Sequence, residues 1–588
     1  MLDFKEKANL IWKVADLLRG DYKRSDYGKV ILPMTVLRRL DCVLSPSKQK
    51  VLDYLPRVES LSDAAKDLTL NKIAGFNFHN RSLYDFSKII SDPNNVSANL
   101  RNFINGFSAS AREIIEYFNF DKEIDRMDDP KADILFQVVK AFQEIDLATM
   151  SSMEMGYVFE ELIRKFAEDS NETAGEHFTP REVIKLMVNI LFNHDDEGLR
   201  TEGIVRTVYD PACGTGGMLS VAEQYLKELN PKARLEVFGQ EINPESYAIC
   251  KSDMLIKGQN PANIKFGNTF TVDGLEHERF DYILSNPPFG VDWKKAEKII
   301  SDEAKNKGMA GRFGAGTPRI NDGSLLFLQH MISKMKADGS RIAIVFNGSP
   351  LFTGSADSGE SNIRKWIIEN DWLEAVVALP DQLFYNTGIS TYIWILTNRK
   401  SKKRRGKIQL INATGAKDET ANRFWQKMPR SLGNKRKEIP ENGSSRGIGL
   451  ITKIYGDFEK NEFCKIFPND FFGYWRATVE QPERDEKGNI KKGKDGKPKA
   501  DSSLRDSENI PFLRDGKPQT IAEYMQREVL PHLPDAWVDE SKTKIGYEIN
   551  FTKYFYDFKP LRPLADIRKE ILELEMETVK AVQQILEI

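Results

Sequence analysis

Four short apolar runs in the middle of the chain each stop at a polar or glycine-rich turn, and their order leaves few folds open. The first, Val205-Arg206-Thr207-Val208-Tyr209, runs into Asp210-Pro211-Ala212-Cys213-Gly214-Thr215-Gly216-Gly217 and then a helical stretch from Met218 to Leu229. The second, Leu235 to Gln240, ends in Glu241. The third, Ile264 to Phe266, ends in Gly267-Asn268-Thr269, and the fourth, Phe280 to Ser285, ends in Asn286-Pro287-Pro288-Phe289-Gly290. Apolar strands alternating with helical segments predict an α/β fold with a doubly wound parallel sheet, whose ligands sit at the carboxyl ends of the strands. The alternation continues through strand candidates Arg341 to Phe346, Leu373 to Leu379, Tyr392 to Leu396 and Ile408 to Ile411, with helices predicted over Ser324 to Met335 and Ser361 to Asn370.

The chemistry is concentrated in the turns. Glycines let the backbone of 214–217 approach a ligand, and the following helix N-terminus favours an anionic group such as a carboxylate. Glu241, at the end of the next strand, is placed to take a ribose diol. The Asn-Pro-Pro-Phe turn suits an amine. An exocyclic amine on a nucleobase is a poor nucleophile because its lone pair is delocalised into the ring. The Asn286 side-chain oxygen and the Pro287 carbonyl can accept its two N–H hydrogens and draw the nitrogen toward tetrahedral geometry. Pro287 and Pro288 fix the torsions that aim that carbonyl and bring no competing N–H, and Phe289 offers a ring on which an extruded base can stack.

With these turns in this order, the chain resembles the S-adenosylmethionine-dependent DNA amino-methyltransferases, and more closely the modification subunits of type I restriction-modification systems. Three further segments carry the resemblance: Gly175-Glu176-His177-Phe178-Thr179-Pro180-Arg181, Tyr27 to Asp41, and Phe472 to Glu480. The resemblance implies a Rossmann-like methyltransferase domain at 151–425, a helical domain at 1–150 and a partner-binding region at 426–588. It implies that Asp210, Gly214, Thr215, Gly216 and Gly217 wrap the methionine part of S-adenosyl-L-methionine and that Glu241 holds its ribose. Glu176, His177, Phe178, Thr179, Pro180 and Arg181 would cap it. Asn268 stands where many relatives carry an acid against the adenine ring, and its amide oxygen can still accept from an adenine amine. Asn286, Pro287, Pro288 and Phe289 would be catalytic, and adenine N6 in DNA the acceptor, because Asn-Pro-Pro-Phe resembles the adenine-specific form. Implied partners are DNA, a specificity subunit that reads the target, a second copy of this chain on that subunit, and a restriction and translocation subunit. Two other classes stay open, an amino-methyltransferase acting on RNA or on a protein glutamine, and a catalytically silent DNA-binding scaffold.

Composition sets limits. At 588 residues the chain exceeds what one core supports, and its formal charge of −2 is weak for an enzyme that grips DNA alone. The basic run Arg399 to Lys407 reads equally as a DNA contact or as a solvated hairpin loop. No apolar run approaches a membrane span and the charged start lacks a signal-peptide core, so a cytoplasmic location is expected. Cys42, Cys213, Cys250 and Cys464 show no paired spacing, so neither a disulfide framework nor a metal site is expected.

Residues 1–150 show helical periodicity, as in Leu10-Ile11-Val14-Leu17-Leu18 and Ile134-Leu135-Val138-Val139-Phe142. The glycine-rich stretch 305–323 reads as a long mobile loop that orders on DNA or on the flipped base. Within the polar insertion 480–506, Gly488 to Asp495 nearly spells a phosphate-binding loop, but the final hydroxyl residue and the preceding strand are missing. From Leu564 the positions Leu564, Ile567, Ile571, Leu574, Thr578, Ala581, Ile585 and Ile588 form a heptad seam for packing on its own domain or on helices of a partner.

Overall fold

The computed structural model describes residues 3–129, 134–170, 179–193, 195–385, 387–415, 422–441, 443–493, 496–556 and 563–586. Residues 1–549 form one compact unit and residues 550–588 a second.

The first unit begins with helices. The longest, Gly28–Val58, keeps its helical course through Pro33, Pro46 and Pro56 and buries Val36, Leu37 and Leu40. Phe86, Phe103, Phe107 and Phe142 pack beside them, with edge-to-face contacts linking the first three. The same core takes in Met155, Val158, Phe159 and Leu162 of helix Ser152–Ser170, and Ala248, Ile249 and Leu255 of helix Pro244–Lys257. The helical layer is therefore packed into the flank of the α/β layer.

That layer is built on a nine-stranded sheet. Its strands are β1 (Val205–Asp210), β2 (Arg234–Glu241), β3 (Ile264–Phe266), β4 (Tyr282–Ser285), β5 (Arg341–Phe346), β6 (Leu373–Ala378), β7 (Tyr392–Thr397) and β8 (Lys407–Asn412). A hairpin of β9 (Gln426–Leu432) and β10 (Lys435–Glu438) stands apart, and β11 (Cys464–Pro468) completes the large sheet in the order β11-β8-β6-β7-β5-β4-β1-β2-β3. β4 to β7 are buried along their whole length, which is why they read as continuous apolar runs.

The sheet is mixed rather than wholly parallel: β7 runs antiparallel to both β5 and β6, and β11 antiparallel to β8. The reason is local. Among the described residues of 379–391, between β6 and β7, none is helical, and the chain returns as a hairpin. Beneath this half lies a buried ionic knot. Arg341 donates to Glu374 at 2.6 Å and also contacts the Tyr455 hydroxyl, which donates to the same carboxylate. Arg404 donates to Gln409 at 2.9 Å and to the Tyr455 carbonyl.

The basic run 399–407 is thereby largely engaged. Arg404 is buried, Lys400 pairs with Asp371 at 2.6 Å, Arg399 with Asp195 at 2.5 Å, and Lys403 donates to the Asp457 carbonyl. The solvated-hairpin reading is corrected: β6 lies between β7 and β8, so the run is a crossover, and Lys400 and Arg404 are buried in it.

A smaller sheet follows, with β12 (Gly473–Glu480) between β13 (Asp506–Pro511) and β16 (Trp537–Tyr547), beside a short ribbon of β14 (Leu513–Arg514) and β15 (Lys517–Pro518). Arg364, buried in helix Gly359–Glu369, donates to the carbonyls of Tyr547, Thr353 and Pro350 and so fastens this sheet to the layer of the large sheet. The second unit carries helix Leu564–Leu586, whose apolar side chains stand in solvent: Leu564 is 85% exposed and Leu574 63%. Among the described residues no helix is long and apolar enough to cross a membrane.

Removing one side of the buried knot leaves an uncompensated charge. Arg341→Met should cost about 3–5 kcal/mol of stability, measured by denaturant unfolding, and Arg341→Met with Glu374→Gln should restore part of it. A single variant as stable as wild type would show the knot to be solvated.

Candidate functional site

The carboxyl ends of β1, β2, β3 and β4 open on one cavity of about 500 Å³, within the range of small-molecule sites. Of the residues expected at the site, Thr179, Asp210, Gly214, Thr215, Gly217, Glu241, Asn268, Asn286 and Pro288 line it. Glu176, His177 and Phe178 lie outside the described residues.

β1 delivers Asp210 buried at its end, where Oδ1 accepts from the Ala212 amide at 3.0 Å and from Ser285 Oγ at 2.8 Å. Burial is the main reason its pKa is pushed up to about 7, despite those two donors. The turn then relies on glycine. Gly214 and Gly216 take φ of +53° and +84°, and a Cβ on Gly216 would stand 2.8 Å from Cys250 Sγ. Glu241 Oε2 accepts from the Gly214 amide at 2.8 Å, and Oε1 accepts from Ile242 and Asn243 at 2.9 and 2.7 Å. Its carboxylate therefore ties the two strand ends together, and burial raises its pKa.

Behind the turn lies Arg181. It neither lines the cavity nor caps it. Nη1 donates to the Gly217 carbonyl at 3.1 Å, and Nη2 pairs with Glu160 Oε1 at 2.5 Å. Glu160 comes from helix Ser152–Ser170 and does line the cavity, so the N-terminal helical core reaches the site. Pro180 and Gly216 support the wall without lining it. Asn268 lines the cavity, its Oδ1 accepting from the Phe270 amide at 2.8 Å.

β4 lies next to β1 in parallel, so Asn286 emerges beside Asp210. Asn286 Nδ2 donates to Thr179 Oγ1 at 2.8 Å, leaving the amide oxygen as the acceptor end of the side chain. Pro287 is buried and is not part of the cavity wall. Phe289 is half-buried and packs toward the α/β core instead of facing the cavity.

The apolar far wall went unforeseen: Ile242, Phe270, Trp293 and Phe327 line it. Trp293, shortly after Asn286, and Phe270, two residues after Asn268, were the aromatic signals in reach. This wall also corrects the reading of 305–323 as a mobile loop. Helix Glu297–Lys307 enters the segment, Phe313 is fully buried, and Arg312 pairs with Glu303 at 2.7 Å while donating to the carbonyls of Thr269 and Phe270. Trp293 Nε1 donates to the Arg319 carbonyl at 3.0 Å, binding the segment to the catalytic turn. Its glycines serve close packing: a Cβ on Gly316 would meet the Gly359 carbonyl oxygen at 2.8 Å.

The site suits a nucleoside-sized zwitterion: two buried carboxylates for cationic or hydroxyl groups, a helix N-terminus at Gly217–Leu229 for an anionic one, and an apolar wall for a planar ring. No cluster of metal-ligating side chains exists among the described residues.

Comparison with known proteins agrees with this geometry. The model of the N-6 DNA Methylase family matches residues 151–432, and that of the HsdM N-terminal domain matches residues 7–142. A type I restriction enzyme MjaIX methylase subunit from Methanocaldococcus jannaschii is 27% identical over 431 residues, 69% of this chain and 72% of that protein. The HindI methylase subunit from Haemophilus influenzae is 31% identical over 261 residues, 44% of this chain and 54% of that protein. In structure, the type I methyltransferase subunit from Streptococcus thermophilus superposes with a TM-score of 0.59 at 22% identity, covering 79% of this chain and 96% of that one. A modification subunit of a putative type I restriction enzyme from Vibrio vulnificus gives 0.51 at 18%, covering 83% and 96%.

Asp210 provides a test that needs no ligand. A carboxyl whose folded-state pKa lies above its unfolded value of 3.8 favours folding below that value, and the advantage is lost as pH rises through about 7. The thermal midpoint of Asp210→Asn relative to wild type should therefore rise steadily from pH 5 to pH 8. A difference independent of pH would place the Asp210 carboxyl in contact with water.

Proposed function

The chain belongs to the N-6 DNA methylase family, and from that membership we propose that it methylates the N6 amine of a flipped adenine in DNA as the methylating subunit of a type I restriction-modification complex. S-adenosyl-L-methionine is the methyl donor. One observation carries the proposal. The hydrogen bond from Ser285 to Asp210 holds the amine-binding turn of β4 against the ligand-binding turn of β1, so the two substrates meet over one strand boundary.

Within that reading, Asp210 receives the ammonium of the donor, Glu241 its ribose, and Ile242, Phe270 and Asn268 flank its adenine. Arg181 and Glu160 support the glycine turn from behind. The target base leaves the duplex at a cost of a few kcal/mol; Asn286 Oδ1 accepts one of its amine hydrogens, and the Pro287 carbonyl accepts the other once the turn has shifted to bring it into the cavity. Bound S-adenosyl-L-methionine would supply an electrophilic methyl group, toward which this turn would hold the amine nitrogen, and the surplus proton would leave to water. Geometry and electrostatics supply the acceleration. Stacking on Phe289 requires its ring to leave its present packing.

The weak net charge supports a division of labour in which a specificity subunit reads DNA, two copies of this chain flank it, and a separate subunit restricts and translocates, all in the cytoplasm. The exposed apolar side chains of helix Leu564–Leu586 supply an attachment surface. RNA or protein-glutamine acceptors fit less well, because the N-terminal region matches a domain named for type I subunits. A silent scaffold fits less well, because the buried carboxylates and Asn286 are in place.

Asn286→Ala should lower methyl transfer to DNA by orders of magnitude while calorimetric affinity for S-adenosyl-L-methionine stays within about twofold. Loss of cofactor binding as well would make Asn286 structural. Ending the chain after Phe558 should leave cofactor binding intact and abolish co-purification with the specificity subunit. Full recovery of the complex would move the attachment to the N-terminal helices.

A further inference from the structure

Resting on the DNA-methylating reading, we propose that the polar arm joining β12 to β13 is a rigid contact for the DNA phosphate backbone. The arm is folded. Pro482 bridges Ala500, Arg484 bridges Ile490, and Lys492 bridges Pro498, so three short segments pair with one another. Lys491 N donates to the Glu483 carbonyl at 2.8 Å, Lys499 N to the Lys491 carbonyl at 2.9 Å, and Glu483 N to the Lys499 carbonyl at 2.7 Å. Each segment thus bonds to both others. Gly488, which opens the stretch resembling a phosphate-binding loop, and Gly496, just past it, take φ of +81° and +78°.

Its charge is concentrated. Residues 487–499 hold six lysines and one aspartate, in a chain whose net charge is −2. Three of the described acids around it, Glu480, Glu483 and Asp485, are already engaged. Glu483 pairs with both Lys491 and Lys499, at 2.7 and 2.5 Å, which leaves one surplus positive charge on that trio. Glu480 holds Arg505 and Lys542 at 2.7 and 3.1 Å. Asp485 accepts from the amides of Lys487 and Asn489 within its own turn, where Glu486 is the remaining exposed acid. Lys487, Lys492 and Lys497 are exposed. Fixed ammonium groups on a polar ribbon, with no apolar face to bury, match a phosphate backbone better than a protein surface.

Placement adds to this. The small sheet is anchored just past the end of β5: Ile549 N donates to the Leu351 carbonyl at 2.8 Å, and Arg364 bridges Pro350, Thr353 and Tyr547. β5 runs parallel to β4, so this is the end of the large sheet from which Asn286 emerges. The arm leaves the opposite end of β12, eight residues away, so its base stands roughly 25 Å from that anchor. DNA lying over the catalytic turn would meet such an outrigger on its flank.

The test compares the full chain, co-purified with its specificity subunit, with its K487Q/K492Q/K497Q variant, and measures binding of a short unmethylated duplex from about 50 to 200 mM salt. The slope of log affinity against log salt should shrink by about two to three in the variant, with turnover at saturating DNA and cofactor affinity unchanged. An unchanged slope in a complex that still methylates DNA overturns the arm alone. Loss of the specificity subunit from the variant makes the arm a protein contact and overturns the proposal. A wild-type complex that methylates no DNA removes the DNA-methylating reading and the arm with it.

Discussion

The molecule is organised around the boundary between β1 and β4. Parallel pairing brings two strand ends to the same level, and a 2.8 Å hydrogen bond from Ser285 Oγ to Asp210 Oδ1 ties them together. Every other part of the site takes its position from that boundary. Glu241 comes from β2, beyond β1, and grips the Gly214 amide; Arg341 of β5, on the other side of β4, begins the buried knot. Both turns are short, so small shifts between the two strands would separate a bound cation from a bound amine.

The parts legible in the sequence were those encoded locally. A buried parallel strand declares itself as an apolar run, and β1 to β4 lie where such runs lead into Asp210, Glu241, Asn268 and Asn286. What escaped was non-local. The reversed direction of β7 depends on whether 379–391 contains a helix, which apolar patterning alone did not decide. Glu160 looks like any polar residue of an amphipathic helix until Arg181, 21 residues later, folds back against it. The glycines of 305–323 suggested mobility, yet close approaches such as Gly316 to Gly359 and the guanidinium of Arg312 give that segment its order. Phe289 shows the converse error: a ring next to a catalytic turn need not face the cavity.

The electrostatic design is economical in buried cations. Arg181, Arg341, Arg364 and Arg404 are all buried, and each satisfies backbone or carboxylate oxygens in several elements at once. Planar guanidinium groups suit that role better than ammonium groups. With these arginines employed as internal fasteners, the arm beyond β12 presents its exposed positive charge as lysines.

The contact between Glu160 and Arg181 has a thermodynamic consequence. Because one partner belongs to the helical core and the other abuts the glycine turn, a ligand seated on that turn stabilises both layers together, and its binding energy is shared across residues that no single-domain fragment contains. The helical layer and the sheet should melt as one cooperative body in the presence of ligand. The smallest autonomous version of this site is accordingly larger than the sheet that bears its name-giving turns.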